Sequence, residues 1–473
     1  MNIVIFSINP IFPNLVTGGA SKHLHQIASH LGKLGHHVNL LCAAPKEPLD
    51  PFVWSENVLV SPSLPFHLPF PQPYAVSGPD LTIIVRRVTE ALQAADRFYI
   101  HDGEFLIPDV YASIPTTTSF RDNIYPESVL GSFIGKADDI ICISDFSCKV
   151  IKYSVGQFYP EVTERLHKVI NGLDFSVFSP VDPTPLAKQL GIDREKTDIL
   201  LHPHRPEPGK GLRETILVLE KLVHKHSIKN VKVLVPQWID SMVSMGESSY
   251  AQEMKQLIEK YDLKDHFIFF PWFPIEKMAQ LYSLGDATLC LGNFVETFGN
   301  VAYESLACGT PSIVAKVGVH RTQMPDDLID KIDPGNIDEA AERIVSIFDG
   351  RPSRHDRVLA FMKTKMNVEK QKQGYAQIIT QSKKRSPMGF APLEKTENLP
   401  YVLAPWCYLD GDKVFHDFQG VFIQDTQFVG VLQDRDSIRF SEANHVGISK
   451  DTWQTWIDQT WLVPRIEKTK SLV

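Results

Sequence analysis

Twice in this chain a short apolar run breaks at a glycine-bearing loop and gives way to apolar residues at helical spacing. That repeat restricts the fold more than any other feature. Residues 2–8 are apolar and end at Asn9-Pro10, the length and punctuation of a buried strand. A loop with Gly18-Gly19-Ala20 follows, then Leu24, Ile27, Ala28 and Leu31 at helical spacing, then a second apolar run at 37–43. The alternation restarts at Asp198. It predicts strands at 199–204, 231–235, 267–270, 287–291 and 312–315, with helices from Leu212 and over 250–261, 274–284 and 299–307 between them. Apolar strands without strict alternation imply sheets covered on both faces. The expectation is an α/β protein of two doubly wound, Rossmann-like units beside a cleft, with ligands bound beyond the carboxyl ends of the strands.

A chain of 473 residues is long enough for two or three domains. The expected division is 1–178, 179–350, a pair of helices at 351–383 returning to the body, and an aromatic-rich α+β appendage at 384–473. Prolines 180, 183 and 185 suggest that 174–185 is the linker. Nine prolines between Pro45 and Pro79 predict a long irregular loop, either a rigid insertion or part of an acceptor pocket. Short strands are also expected at 97–101, 116–120, 140–144 and 168–170. In the appendage, Asp410-Gly411-Asp412 reads as a hairpin turn, and 419–422 and 428–432 read as strands. Trp453, Trp456, Ile457 and Trp461 share one helical face, a docking stripe toward the body or toward a second copy.

Composition excludes several classes. A net charge of −8, spread along the chain, gives no field for nucleic acid. No apolar run is long enough to span a bilayer, and the first residues read as a strand and not as a signal peptide. The six cysteines form no CxxC pair, which is the usage of a reducing, cytoplasmic protein.

Two segments carry chemistry. The first, FVETFGNVAYESLACGTP, runs from Phe294 to Pro311. Glu296 lies in the loop after a strand, Gly299-Asn300-Val301 opens a helix, and Glu304 sits about one turn inside it. Helical side chains lean toward the N-terminus, so both acids can face one pocket with the free amides of Gly299, Asn300 and Val301. A glycine-led helix start holds anions, and carboxylates accept sugar hydroxyls. The combination describes a phosphate flanked by two sugars. The second segment, His204 to Gly211, places Arg205 and Lys210 at the ends of a tight loop, where both can reach one anion or stand as two solvated charges on a surface turn. It lacks the GxxxxGK[ST] pattern of a Walker loop.

These two segments, with Gly18-Gly19, Ile143–Ser147 (ISDFS), Asn171–Pro180 (NGLDFSVFSP) and Glu304–Pro311 (ESLACGTP), resemble the family 4 glycosyltransferases of the GT-B fold over about residues 1–380. The resemblance implies a retaining hexosyl transfer from a nucleoside-diphosphate sugar, UDP-hexose before GDP-mannose, to a saccharide or lipid-linked acceptor in polysaccharide or glycoconjugate synthesis, without an essential metal or cofactor. Glu304 would hold the ribose, Glu296 would face the donor sugar, and Arg205 and Lys210 would hold the diphosphate. Gly18, Gly19, Phe298, Gly299, Asn300 and Val301 would complete the donor site. His101 resembles the histidine beside the donor sugar, or is a satisfied strand-end residue.

Departures from the family pattern fall at the sugar and acceptor ends. Leu291-Gly292 replaces Pro-Ser, Gly318-Val319-His320-Arg321 replaces Gly-Gly-x-Pro-Glu, and Arg121 or Asp122 stands where a second histidine is usual. A sugar-nucleotide epimerase of the same fold and a non-catalytic nucleotide-sugar scaffold are the alternatives. The DxD pairs Asp410/Asp412 and Asp434/Asp436 lie in the appendage and read as turns and solvated loop, not as metal ligands. Self-association and peripheral membrane contact are further partner expectations.

Overall fold

The structure, a computed structural model, describes residues 1–13, 18–68, 72–205, 207–237, 249–271, 273–391, 399–433 and 435–466. Pro69, Pro71, Pro206 and Asp434, which enter the expectations above, lie outside the described residues. The first sheet comprises β1 (Asn2–Ser7), β2 (His37–Ala43), β3 (Phe52–Ser55), β4 (Val58–Leu64), β5 (Arg97–Ile100), β6 (Thr116–Phe120), β7 (Asp139–Cys142) and β8 (Leu166–Lys168), in the spatial order β3-β4-β2-β1-β5-β6-β7-β8. All neighbours are parallel except β3 and β4. The second sheet comprises β9 (Asp198–Leu201), β10 (Val231–Pro236), β11 (Phe267–Phe270), β12 (Ala287–Cys290), β13 (Ser312–Ala315) and β14 (Asp330–Ile332), in the order β11-β10-β9-β12-β13-β14 and wholly parallel.

Both orders wind outward in two directions from a central strand. The strand order therefore reverses between β1 and β5 in one sheet and between β9 and β12 in the other. Crevices open at such points because successive crossovers leave on opposite faces of the sheet. The central strands β1, β9 and β12 are buried along nearly their whole length: Ile5, Phe6, Ile199, Leu200, Leu201 and Leu289 are all fully buried. That burial explains why their apolar runs do not alternate.

The two halves share cores. Ile143, Leu173 and Phe178 of the first half lie in one apolar cluster with Leu201, Tyr282, Tyr303 and Leu306 of the second. The helix His355–Lys365 places Val358 and Met362 in that same cluster, while the next helix, Val368–Gln381, returns to the first half and buries Tyr375, Ala376 and Ile379 beside Leu24, Ala28 and Leu31. Gly172 admits this return. A Cβ there would stand 2.2 Å from the Val368 backbone.

The appendage contains an antiparallel pair, Tyr401–Leu403 with Leu462–Pro464, and a three-stranded meander of Cys407–Asp410, Lys413–His416 and Val421–Gln424. The turn between the first two meander strands falls at Gly411 (φ +59°), as the sequence predicts. The appendage core, with Trp406, Phe415, Phe428, Trp453, Trp456 and Trp461, is continuous with Phe146 and Val150 of the first half and with Val295, Val317 and Val319 of the second. It therefore bridges both sides of the cleft.

Several sequence expectations are corrected. The proline-rich stretch is not irregular throughout, since β3 and β4 lie inside it. Val58, Val60 and Leu64 alternate inward on β4, and that period-2 pattern outweighs Pro62, whose neighbourhood is relieved by a register shift at Cys42/Ala43. Residues 428–432 belong to a helix, Thr426–Leu432, started by Asp425, whose carboxylate accepts from the Phe428 amide at 2.9 Å. Trp461 lies beyond the end of the helix Lys450–Asp458, after a turn with Thr460 at φ +59°, yet it is fully buried. The strands expected at 199–204 and 168–170 end earlier, at Leu201 and Lys168.

Because Trp461 is fully buried in the cluster that joins appendage and body, Trp461→Ala is expected to cost about 3–5 kcal/mol. Urea unfolding followed by tryptophan fluorescence checks this.

Candidate functional site

The sequence-predicted residues of the second half lie in a loop leaving a switch-point strand or at the helix start that follows it, except Glu304, which sits a turn inside that helix. The loops after β9 and β12 are pressed together backbone to backbone. A Cβ on Gly292 would stand 1.9 Å from the Gly209 carbonyl oxygen, and one on Gly211 would meet the Gly292 nitrogen at 2.4 Å. Gly209 and Gly211 also take positive φ, +83° and +92°, which glycine adopts without a Cβ penalty. The Phe294 amide donates to the Gly209 carbonyl at 2.9 Å. Gly292, an apparent departure from the family pattern, is the residue that permits this approach.

The approach sets the central ion pair. Lys210 Nζ lies 2.8 Å from Glu296 Oε1 and 3.3 Å above the centre of the Phe294 ring. Burial alone would raise the Glu296 carboxyl, but the Lys210 ammonium, helped by His320 and Arg205, holds it below its ordinary value. The Glu296 carboxylate is thus held ionised beside Lys210. Arg205 is half exposed and meets Glu207 at 3.2 Å. The structure brings Lys210 to Glu296 and leaves Arg205 swung toward its own loop.

The helix Asn300–Ala307 begins at Gly299, which has φ +82° and no side-chain cap. A Cβ at Gly299 would stand 2.2 Å from His320 Cε1, so glycine is required there twice over, for its conformation and for the imidazole packed beneath it. His320 Nδ1 lies 3.5 Å from the Tyr303 hydroxyl. Across the cleft, the helix Gly19–Lys33 also starts without a side-chain cap, at Gly18. A Cβ on Gly19 would stand 2.7 Å from Asn300 Nδ2. Two uncapped helix starts therefore face one cleft, each with amide donors and the positive end of its dipole. Phe298 turns inward. It is 2% exposed and packs edge-on against Tyr303, so only its backbone borders the site.

Glu304 is held from both halves. Tyr282 donates its hydroxyl to Oε2 at 2.9 Å, and Lys22 of the first half reaches Oε1 at 2.5 Å. Lys22 also lies 5.0 Å from the Phe178 ring centre. His101 is 1% exposed, with Nδ1 2.9 Å from the Tyr99 hydroxyl and Nε2 3.7 Å from Asp102 Oδ2. Burial, then the charge of Arg121, lowers its pKa well below the ordinary value, so the ring is neutral. Asp102 itself takes φ +60° and faces Arg121 at 3.5 Å. His23, fully buried, accepts at Nδ1 from the Gln371 side-chain amide at 2.8 Å. Among the described residues, no group of three or more His, Cys, Asp or Glu side chains has the arrangement of a metal site.

Sequence reasoning missed Lys22, Tyr282, and the contact of Asn300 with Gly19. Lys22 left a faint signal, since a cation in the first turn of a helix opposes the dipole and so implies a carboxylate partner. Tyr282 left none, because a tyrosine on an apolar helix face reads as core. His320 stood in the sequence only as a departure from pattern.

Residues 186–359 match the family described as glycosyl transferases group 1. A D-inositol 3-phosphate glycosyltransferase of Frankia alni is 28% identical over 195 residues, which is 40% of this chain and 46% of that protein. The chain spans about half the length of the curated relatives it matches. Among solved structures, the sucrose-phosphate synthase of Thermosynechococcus elongatus aligns with a TM-score of 0.65 at 17% identity, covering 80% of this chain and 98% of that one. Anabaena HepE, in complex with UDP and glucose, aligns with a TM-score of 0.64 at 20% identity, covering 80% and 99%. These likenesses place the chain in the GT-B fold, with the appendage as an addition.

His320 is 5% exposed, and burial brings its pKa down to about 4, Glu296 opposing and Lys210 adding to the shift. Between pH 6.5 and about 4 the unfolded chain takes a proton here that the folded chain refuses. Stability therefore falls as pH falls through that window, by about 1.4 kcal/mol per pH unit for this one group. His320→Gln is expected to reduce the slope of unfolding free energy against pH by that amount, measured by urea unfolding at pH 4.5–7.

Proposed function

We propose, from the premise that this chain is a GT-B fold carrying a group 1 glycosyltransferase domain at residues 186–359, that it is a retaining hexosyltransferase. The donor is a nucleoside-diphosphate hexose, UDP-linked first and GDP-mannose second. The acceptor is a hydroxyl of a saccharide or glycolipid in polysaccharide or glycoconjugate synthesis. The observation that carries this reading is the Lys210–Glu296 pair beside a glycine-started helix that faces a second uncapped helix start across the cleft. The UDP preference draws on Anabaena HepE, described in complex with UDP and with UDP-glucose.

In this reading the diphosphate lies between the two helix starts, and Lys210, with Arg205 rotated inward from Glu207, meets its charge. The charge grows as the bond from the anomeric carbon to the phosphate oxygen breaks. Fixed donors aimed at that growing charge lower the barrier. The acceptor oxygen bonds to the anomeric carbon on the face the diphosphate leaves, and its proton passes to a diphosphate oxygen. No protein nucleophile is consumed. Glu304 exchanges Lys22 for the ribose hydroxyls, Glu296 faces the hexose, and the neutral His101 orients it. The cations and amides supply the positive charge, so no metal or cofactor is required. No helix among the described residues is long and apolar enough to cross a membrane. With all six thiols free, action in the cytoplasm completes the reading.

Arg205→Ala and Lys210→Ala are each expected to lower kcat for hexosyl transfer by about 10²–10³-fold, with EDTA leaving the wild-type rate unchanged. Wild-type turnover in both variants sinks the leaving-group assignment. A thermal-shift panel of UDP, GDP and their hexoses ranks the donors, because a ligand that binds only the folded state raises its midpoint. Donor binding without transfer or hydrolysis would favour a scaffold, and altered sugar stereochemistry without an acceptor would favour an epimerase.

A further inference from the structure

The turn Gly318–Arg321, which follows β13, is the floor beneath the Glu296 loop. The Val319 amide donates to the Glu296 carbonyl at 2.8 Å. A Cβ on Gly318 would stand 2.3 Å from that same carbonyl oxygen, and His320 fills the space under Gly299. Displacing this turn therefore displaces the sugar-facing acid and the helix start together.

Arg321 ends the turn and ties it to the appendage. Its Nη1 reaches Asp417 Oδ1 at 2.5 Å and its Nη2 reaches the Pro405 carbonyl at 3.0 Å. The guanidinium lies 5.2 Å from the ring centre of Tyr408 in the appendage and 5.6 Å from that of Phe146 in the first half. The Arg321 side chain is 11% exposed and that of Asp417 fully buried. The guanidinium thus meets a carboxylate and a backbone carbonyl of the appendage at once, a directional contact as well as a charged one. Two further contacts join the appendage to neighbouring loops of the second half, after β14 and after β12. Tyr408 donates to Asp333 at 3.3 Å, and Gly420 packs so closely that a Cβ would stand 2.9 Å from Asn293 Nδ2.

We propose that Arg321 is a positioning residue through which the docked appendage sets the placement of Glu296 and His320 at the sugar end of the donor site. The inference rests on the glycosyl-transfer reading of that site. In this arrangement the appendage is a third wall of the active site, not a passenger. Glu304 is held instead by Tyr282 and Lys22, neither of which belongs to the appendage.

The test compares full-length wild type with Arg321→Ala, Arg321→Lys and Asp417→Asn. Hydrogen exchange at the amides of residues 294–301 is expected to quicken at least tenfold in Arg321→Ala and Asp417→Asn, with exchange in β1 and β5 unchanged. UDP affinity is expected to fall by less than kcat with the hexose donor, which drops at least tenfold further. Arg321→Lys, which keeps the charge, recovers part of both. Unchanged exchange at 294–301, or loss of UDP binding in step with kcat, overturns the proposal. Quickened exchange in a protein whose wild type neither binds nor turns over any nucleotide hexose upholds the coupling and overturns the functional reading instead. Should Arg321→Ala fail to fold, the two conservative variants carry the same comparison.

Discussion

The site depends on backbone meeting backbone. Gly292 lies against Gly209 and Gly211 so closely that no side chain fits between them. That contact brings the loop after one switch-point strand onto the loop after the other. Lys210 and Glu296, eighty-six residues apart, then fall within hydrogen-bonding distance. A methyl group at the contact would separate the loops by an ångström or more, and electrostatic catalysis loses force over such distances. Gly299 repeats the device one step along. There a missing side chain makes room for His320, and positive φ turns the chain into the helix whose amides face the cleft.

Around this contact the molecule is tied together by chain returns. The helix Val368–Gln381 crosses from the second half to the first, where Gln371 bonds to His23, to Asn171 and to the Gly172 amide. The appendage crosses again on another side, sharing one apolar core with both halves. Lys22 to Glu304 is the polar counterpart, a contact between halves made at the residue proposed above to hold the nucleotide.

Much of the body could be read from spacing. Strand runs, helix faces, the glycine-led helix start and the acidic and basic pairs all reside in short stretches whose local physics is self-contained. The appendage was less legible. Its residues 428–432 have strand composition, but Asp425 caps the first turn and the segment coils to bury Phe428 beside Trp456. The proline-rich stretch conceals β3 and β4 because its nine prolines mask the inward alternation of Val58, Val60 and Leu64.

By itself the sequence determined what depends on neighbours along the chain: the two doubly wound units, the loops that bear charge, and the glycines at their turns. Periodicity and turn chemistry act over a few residues, so they are written locally. The tertiary structure alone decided which charges meet. Lys22 found Glu304, Arg321 found Asp417, and Arg205 turned to Glu207. A partner chosen across a cleft depends on how whole layers pack, and the burial that gives such pairs their strength does not exist until the layers close.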